Sequence, residues 1–276
     1  MDPGRTPPDA GDLAGAAPAW SIQRAGAGPV VATATHQGHD LRPEVAALMA
    51  LDAAERLREE DPFTAEWTLV APTRVIAHRS RFEVDLNRPP EGAVYGAPED
   101  AWGLNLWRAQ PPDALVRRSR AIHRAFYRAL EAVLREVAER HGNFVVFDIH
   151  SYNHRRDGPD AAPAPASENP EVNLGTGTLD RARWGHAADA FLASLRGAAP
   201  GLDVRENVRF RGGYLPRWVH ERFPSSGCAL AIEFKKTFMD EWTGRPDAAR
   251  IPELRDALAA TVEPVSEALA FLPAAR

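Results

Sequence analysis

At 276 residues, with 44% hydrophobic and 26% charged residues, the chain can bury a sizeable core as one domain and has the balance of an ordinary soluble globular protein. Its formal net charge of -5 argues against a nucleic-acid binder that works by neutralising phosphates. No apolar run approaches the ~18 residues of a membrane span. The N-terminus lacks the layout of a signal peptide. A single cysteine, Cys228, leaves no internal disulfide framework and no cysteine zinc knuckle, in keeping with a reducing, cytoplasmic setting. Positive charge is carried almost wholly by arginine, since Lys235 and Lys236 are the only lysines.

Residues 1–18, rich in Pro, Gly, Ala and Asp, read as a disordered tail ahead of one domain over 19–276. A Val/Ala/Thr strand over 29–35 ends at His36-Gln37-Gly38-His39, and a helical pattern over 43–59 ends in the acidic run Glu59-Glu60-Asp61. Residues 69–75 and 82–86 have the character of strands. Apolar residues recurring every three or four positions predict a long helix over 113–140, closed by His141-Gly142. The nearly continuous apolar run 144–149 is the form of a central strand in a parallel sheet. A proline-rich loop over 155–171 follows, then a helix over 181–196, a strand over 204–208, a helix or turn over 216–222, a buried strand over 230–234 and a helix over 251–272. This alternation predicts an α/β fold, a central mixed and mainly parallel sheet flanked by helices.

In such sheets ligands bind beyond the carboxyl ends of the strands. Three predicted strands end on chemically capable residues: His36, His150 and Glu233. Two imidazoles with carboxylates are the ingredients of a catalytic zinc site, which uses three protein ligands and leaves a position for water. The acidic run is the source of the oxygen ligand, and spacing alone does not choose Asp61 over Glu60; His39 is a further candidate. Asp148, Ser151, Tyr152, Asn153 and His154 crowd polar groups around His150. Phe82, Val84 and Leu86 alternate with Arg81, Glu83, Asp85 and Asn87 as on a half-buried strand, which stops at Asn87-Arg88 where side chains reach the sheet edge. Gly212-Gly213-Tyr214 with Arg217 sets backbone freedom beside an aromatic and a cation. Arginine's planar fork suits a carboxylate. The candidate substrate contacts are therefore Arg81, Asn87, Arg88, Tyr152, Gly213, Tyr214 and Arg217. Glu233 and Lys235 point to one side of their strand, as a general base with a cation beside it.

Taken together, these segments resemble the N-formylglutamate amidohydrolase (N-formylglutamate deformylase) family. The matching pieces are His36-Gln37-Gly38, Ser80 through Arg88, Asp148-Ile149-His150-Ser151, Asn173-Leu174-Gly175-Thr176, Phe210 through Tyr214, and Ile232-Glu233-Phe234 with Met239-Asp240-Glu241, in the family's order over roughly residues 29–245. That family is similar in fold to zinc carboxypeptidases, whose metal histidine lies in a segment like Ile149–Tyr152. The resemblance implies one zinc ion on His36, His150 and Asp61. It also implies Asn87-Arg88 on the substrate's α-carboxylate and Glu233 as general base on the water that zinc activates, with Lys235 or an arginine polarising the carbonyl. The expected activity is hydrolysis of the amide of an N-formyl or other N-acyl amino acid, by a monomer or small homo-oligomer. A carboxypeptidase-like peptidase and a non-catalytic metal- or carboxylate-binding protein are the competing readings.

Overall fold

The computed structural model describes residues 18–271. Of the expected 1–18 tail, 1–17 lie outside the described residues, as does Leu272 at the end of the last predicted helix. The chain forms a single α/β domain around a seven-stranded mixed sheet of strand order β1-β3-β2-β4-β7-β5-β6. These strands are β1 Trp20–Arg24, β2 Val30–Ala34, β3 Thr73–Ala77, β4 Phe144–Tyr152, β5 Val172–Gly175, β6 Val204–Glu206 and β7 Gly227–Lys235. The four at the centre, β3, β2, β4 and β7, are mutually parallel, so their carboxyl ends open on one edge. β1 and β5 pair antiparallel at the flanks, on β3 and β7.

Side chains alternate across a strand, and both faces of this sheet are covered. On one face Val145, Phe147 and Ile149 of β4 and Leu230, Ile232 and Phe234 of β7 pack with helices α5 (Arg181–Ala198), α7 (Arg250–Ala259) and α8 (Val262–Ala270). On the other, Phe144 and Val146 of β4 and Ala229 of β7 meet α4 (Asp113–His141) and α6 (Tyr214–Arg222). Asp148, His150 and Glu233 continue this second register. Polar side chains therefore take over the α4/α6 face only where the strands run out. A third apolar cluster, with Val45, Met49, Phe82, Tyr95 and Leu106, roofs the same edge.

Several elements differ from the sequence reading, each for a local reason. The 43–59 helix is two, α1 (Pro43–Leu48) and α2 (Ala53–Glu59), because Asp52 caps a new start through a reciprocal capping box with Glu55. The 69–75 strand begins only at Thr73, beyond Pro72, after a 3-10 turn over Thr68–Val70. The final helix breaks at Ala260-Thr261, since Pro264 has no N–H for the Ala260 carbonyl. Residues 82–86 form turns rather than a half-buried strand. Glu83 and Asp85 are as buried as Phe82, Val84 and Leu86, because each carboxylate has charged partners inside. Glu83 accepts from the Arg42 backbone and guanidinium at 2.6 and 2.7 Å. β1 carries too short a pattern to stand out, and β5 drew notice only as a motif.

Trp67, in the short helix α3 (Thr64–Trp67), is wholly buried against Phe234 and Phe238, with ring centroids 4.3 and 4.6 Å away. Its Nε1 donates to the Ile251 carbonyl at 3.0 Å, tying the segment after Asp61 to α7. Trp67→Ala should destabilise the fold by about 3–5 kcal/mol, read as a lowered urea midpoint. A loss below about 1 kcal/mol would mean that this wedge is not a principal contact.

Candidate active site

The three strand-end residues do converge. His150 faces Glu233 directly across the β4/β7 ladder, and His36 lies two residues past β2, the other neighbour of β4. Asp61 is carried in from the turn after α2, where its backbone N–H donates to the His36 carbonyl at 2.9 Å. The His36 turn can approach this closely because of Gly38. A Cβ there would fall 2.3–2.5 Å from the backbone of His78 and Arg79, which accounts physically for the His-Gln-Gly sequence.

One ligand atom from each of His36, Asp61 and His150 lies within 4.8 Å of the others, and all three residues are buried. The imidazoles face Asp61 through Nδ1: His150 Nδ1 is 2.9 Å and His36 Nδ1 3.4 Å from Asp61 Oδ2. Their far nitrogens rest on other buried carboxylates, His36 Nε2 at 2.7 Å from Asp85 and His150 Nε2 at 3.1 Å from Asp148. Each Nδ1 donates to Asp61 here; with a cation in place of that proton, the carboxylate behind each ring would keep the remaining proton on Nε2, as in metal-binding histidines. The donor set thus fits a divalent cation of zinc's type. Asp148 is in turn held by Thr33, whose hydroxyl donates to it at 2.8 Å.

Of the two acidic candidates, only Asp61 meets the imidazoles. Glu60 is turned away to His39, 2.5 Å distant, and to the Ser80 hydroxyl, so neither Glu60 nor His39 meets the cluster. Burial would raise the Asp61 carboxyl, but hydrogen bonds from His150 and His36 outweigh it and hold the group well below the ordinary carboxylate range. Burial would likewise lower His150, yet Asp148 and Asp61 hold it well above its ordinary value. Glu233 is the exception. Burial, reinforced by Asp61 and Asp148, pushes it up to about 7 against the pull of His150 and His36. Its carboxylate accepts no hydrogen bond among the described residues, so its lone pairs are available to a reacting molecule.

The cluster opens into a cleft of about 220 Å³ that Arg81, Asn87, Tyr152, Gly213 and Glu233 help to line. Other expected contacts lie elsewhere. Arg88 donates to the Asp100 carbonyl at 2.7 Å and stacks on Tyr95. Arg217 is exposed away from the cleft, and Tyr214 lines a separate one. Asn87 is committed to scaffolding: its Oδ1 accepts from Leu215 N–H at 2.9 Å, and its Nδ2 sits 3.2 Å from His150 Nε2. Gly213 is needed beside it, because a Cβ there would lie 2.4 Å from the Asn87 amide. Lys235 donates to the Asn169 carbonyl, whereas its neighbour Lys236 reaches the cleft wall. Buried, Lys236 donates to the carbonyls of Arg58 (2.5 Å) and Glu60 (2.8 Å), closing the end of α2 just before Asp61. Burial pushes it down to about 8.

Four residues at or behind the cleft were not among the expected site residues, although Asp85 and Arg211 lie in segments that resemble the family. Asp85 resembled a surface-strand residue. Trp102, in a left-handed conformation (φ 55°) and 48% exposed, stands at the mouth with the guanidiniums of Arg81 and Arg156 at 4.9 and 5.5 Å from its ring. Arg156 is paired with Glu59 at 3.1 Å. Arg211 lines the cleft, exposed, and makes no ion pair among the described residues.

The N-formylglutamate amidohydrolase family model matches residues 28–239. An N-formylglutamate amidohydrolase from Ralstonia eutropha JMP134 superposes with a TM-score of 0.71 at 17% identity, over 90% of this chain and 97% of its own. A gene product of Agrobacterium tumefaciens gives 0.60 at 20% identity, over 89% and 95%. A metallo-carboxypeptidase from Burkholderia cenocepacia overlaps more loosely, at 0.37 and 17% identity over 91% of this chain and 66% of its own. No curated protein matches the sequence. Among the described residues no helix is long and apolar enough to cross a membrane. With a model matched over residues 28–239, which hold strands β2 to β7, the His36/Asp61/His150 cluster and the cleft, the chain belongs to the N-formylglutamate amidohydrolase family and is a hydrolase of amides.

Proposed function

We propose that the protein hydrolyses the amide bond of an N-formyl or other small N-acyl amino acid, with one zinc ion held by His36, Asp61 and His150. The observation that carries this reading is the pairing of a buried two-imidazole, one-carboxylate cluster with a Glu233 carboxylate that accepts no hydrogen bond among the described residues. A bound cation supplies Lewis acidity to the substrate carbonyl and to water. The remaining work belongs to the chain. Glu233 accepts a proton from the attacking water as its oxygen bonds the acyl carbon. It then returns that proton to the departing nitrogen as the C–N bond breaks, leaving a carboxylic acid and an amine. A value near neutrality suits both halves of that exchange. Cleft size favours a small molecule over an extended peptide, being below the ~300–1,000 Å³ of drug-sized sites.

Arg211 is the best-supported anchor for the substrate carboxylate, because its guanidinium has no competing carboxylate among the described residues. Arg156 is a second cation on the cleft, restrained by Glu59. Arg81 belongs to the scaffold, since Asp85 accepts from it at 2.9 Å and Tyr95 contacts it at 3.2 Å.

Asp148→Asn should weaken zinc binding about 10–100-fold in a competitive chelator titration, although it removes no ligand. Unchanged affinity would refute the buttressing role. Glu233→Gln should keep its metal yet lose about 10²–10⁴-fold in kcat on N-formyl amino acids. Activity should fall as pH drops through the Glu233 pKa, with a midpoint at or below about 7 because a bound cation favours the carboxylate, and that acid limb should vanish in the variant. Near-normal turnover by Glu233→Gln would remove it from the mechanism. Arg211→Ala should raise KM about 10–100-fold with kcat little changed, the loss of a charged hydrogen bond to bound substrate. An unaltered KM would move the anchor elsewhere.

A further inference from the structure

A second cleft, of about 240 Å³, lies between α4 and α6, apart from the zinc-type cluster. Residues four apart share a helix face, so His123, Tyr127 and Glu131 form one row on α4, Arg124 and Arg128 an adjacent row, and Tyr214 and Trp218 a facing row on α6. The rings make a continuous aromatic wall: Tyr127 is 4.7 Å from His123, 5.3 Å from Tyr214 and 4.9 Å from Trp218, centroid to centroid.

His123 supplies the observation that points to a ligand. It is 1% exposed, and its Nε2 lies 2.9 Å from the Arg88 carbonyl, which can only accept, so Nε2 carries the proton. Nδ1 is then a bare acceptor, buried, with no partner among the described residues. Burial holds the ring below its ordinary pKa, which keeps that lone pair free. A buried acceptor without a donor, on a residue that lines the cleft, needs explaining. At the rim, Arg124 and Arg128 are exposed and form no ion pair among the described residues. Glu131, the acid in the wall, is neutralised by Arg135 and Arg222 at 2.6 and 2.5 Å.

We propose that this cleft is a binding site for a planar aromatic carboxylate that carries a ring N–H or O–H. The ring lies against Tyr127, Tyr214 and Trp218, its donor reaches His123 Nδ1, and its carboxylate meets Arg124 and Arg128. The site does not depend on the hydrolase reading, because none of these residues lines the catalytic cleft.

Titration calorimetry on the zinc-loaded protein tests this with indole-3-carboxylate as probe. One saturable site per chain is expected. Affinity should drop about tenfold or more for 1-naphthoate, which lacks the donor, and for indole, which lacks the charge. The exposed double variant Arg124→Ala/Arg128→Ala and the single variant Trp218→Ala should each lose binding by a similar factor, while the exposed Arg211→Ala, in the other cleft, should retain it. Absence of saturable binding would overturn the proposal. So would binding indifferent to the arginine pair, or binding that disappears with Arg211→Ala, which would locate the probe in the catalytic cleft.

Discussion

Asp61 sits buried between two imidazoles, and the far nitrogen of each imidazole rests on another buried carboxylate. Taking such charges out of water costs several kcal/mol per ion unless partners satisfy them. The fold therefore has to deliver every partner to one point. β2 and β4 bring the histidines and Asp148, the turns over 80–88 bring Asp85, and the end of α2 brings Asp61. A second tier holds the first: Thr33 on Asp148, Arg81 and Tyr95 on Asp85, Lys236 on the carbonyls ahead of Asp61. Remove any tier and a charge is left buried and unmatched.

This requirement explains the architecture around the site. Four parallel strands at the centre of the sheet place their carboxyl ends together, and the antiparallel flanks add width without adding side chains to the cluster. The roof over 78–112 has little regular structure, yet it is held by its own apolar cluster and by carboxylates turned inward. Cations around the catalytic cleft divide by the same logic. Arg81 and Lys236 are consumed in holding the scaffold, whereas Arg156 is paired with Glu59 at the surface and Arg211 forms no ion pair among the described residues.

The central strands, the long α4 helix and the convergence of His36, His150 and Glu233 were legible in the sequence, because apolar runs that stop at a polar residue mark strand ends. The roof was not. Glu83 and Asp85 alternate with Phe82, Val84 and Leu86 as a surface strand would, and only their partners, Arg42, His36 and Arg81, reveal that both sides are inside. Asp61 could not be told from Glu60 by spacing, since the difference lies in a contact from His39, distant along the chain. Lys235 drew attention by sharing a strand face with Glu233, but side-chain length let it reach Asn169 while Lys236, just past the strand, took the interior position. Arg88 and Tyr214 lie in motifs that resemble the family but are not among the residues lining the cleft beside the cluster. Trp102 and Arg211 stand in irregular segments, where periodicity carries no information.

The two lysines have a further consequence, for how the molecule can be handled. Lys236 is caged by carbonyls in the interior, and Lys235, half-buried, is occupied by Asn169. Nearly all surface cations are guanidiniums, which do not react with the activated esters used to attach dyes or biotin. Amine-directed labelling therefore has scarcely any lysine target here, and reagents forced onto Lys236 would loosen the end of α2 that presents Asp61. Tethering this protein to a surface is better directed at a carboxylate or an introduced thiol, particularly since the one native thiol, on Cys228, is sealed in the core.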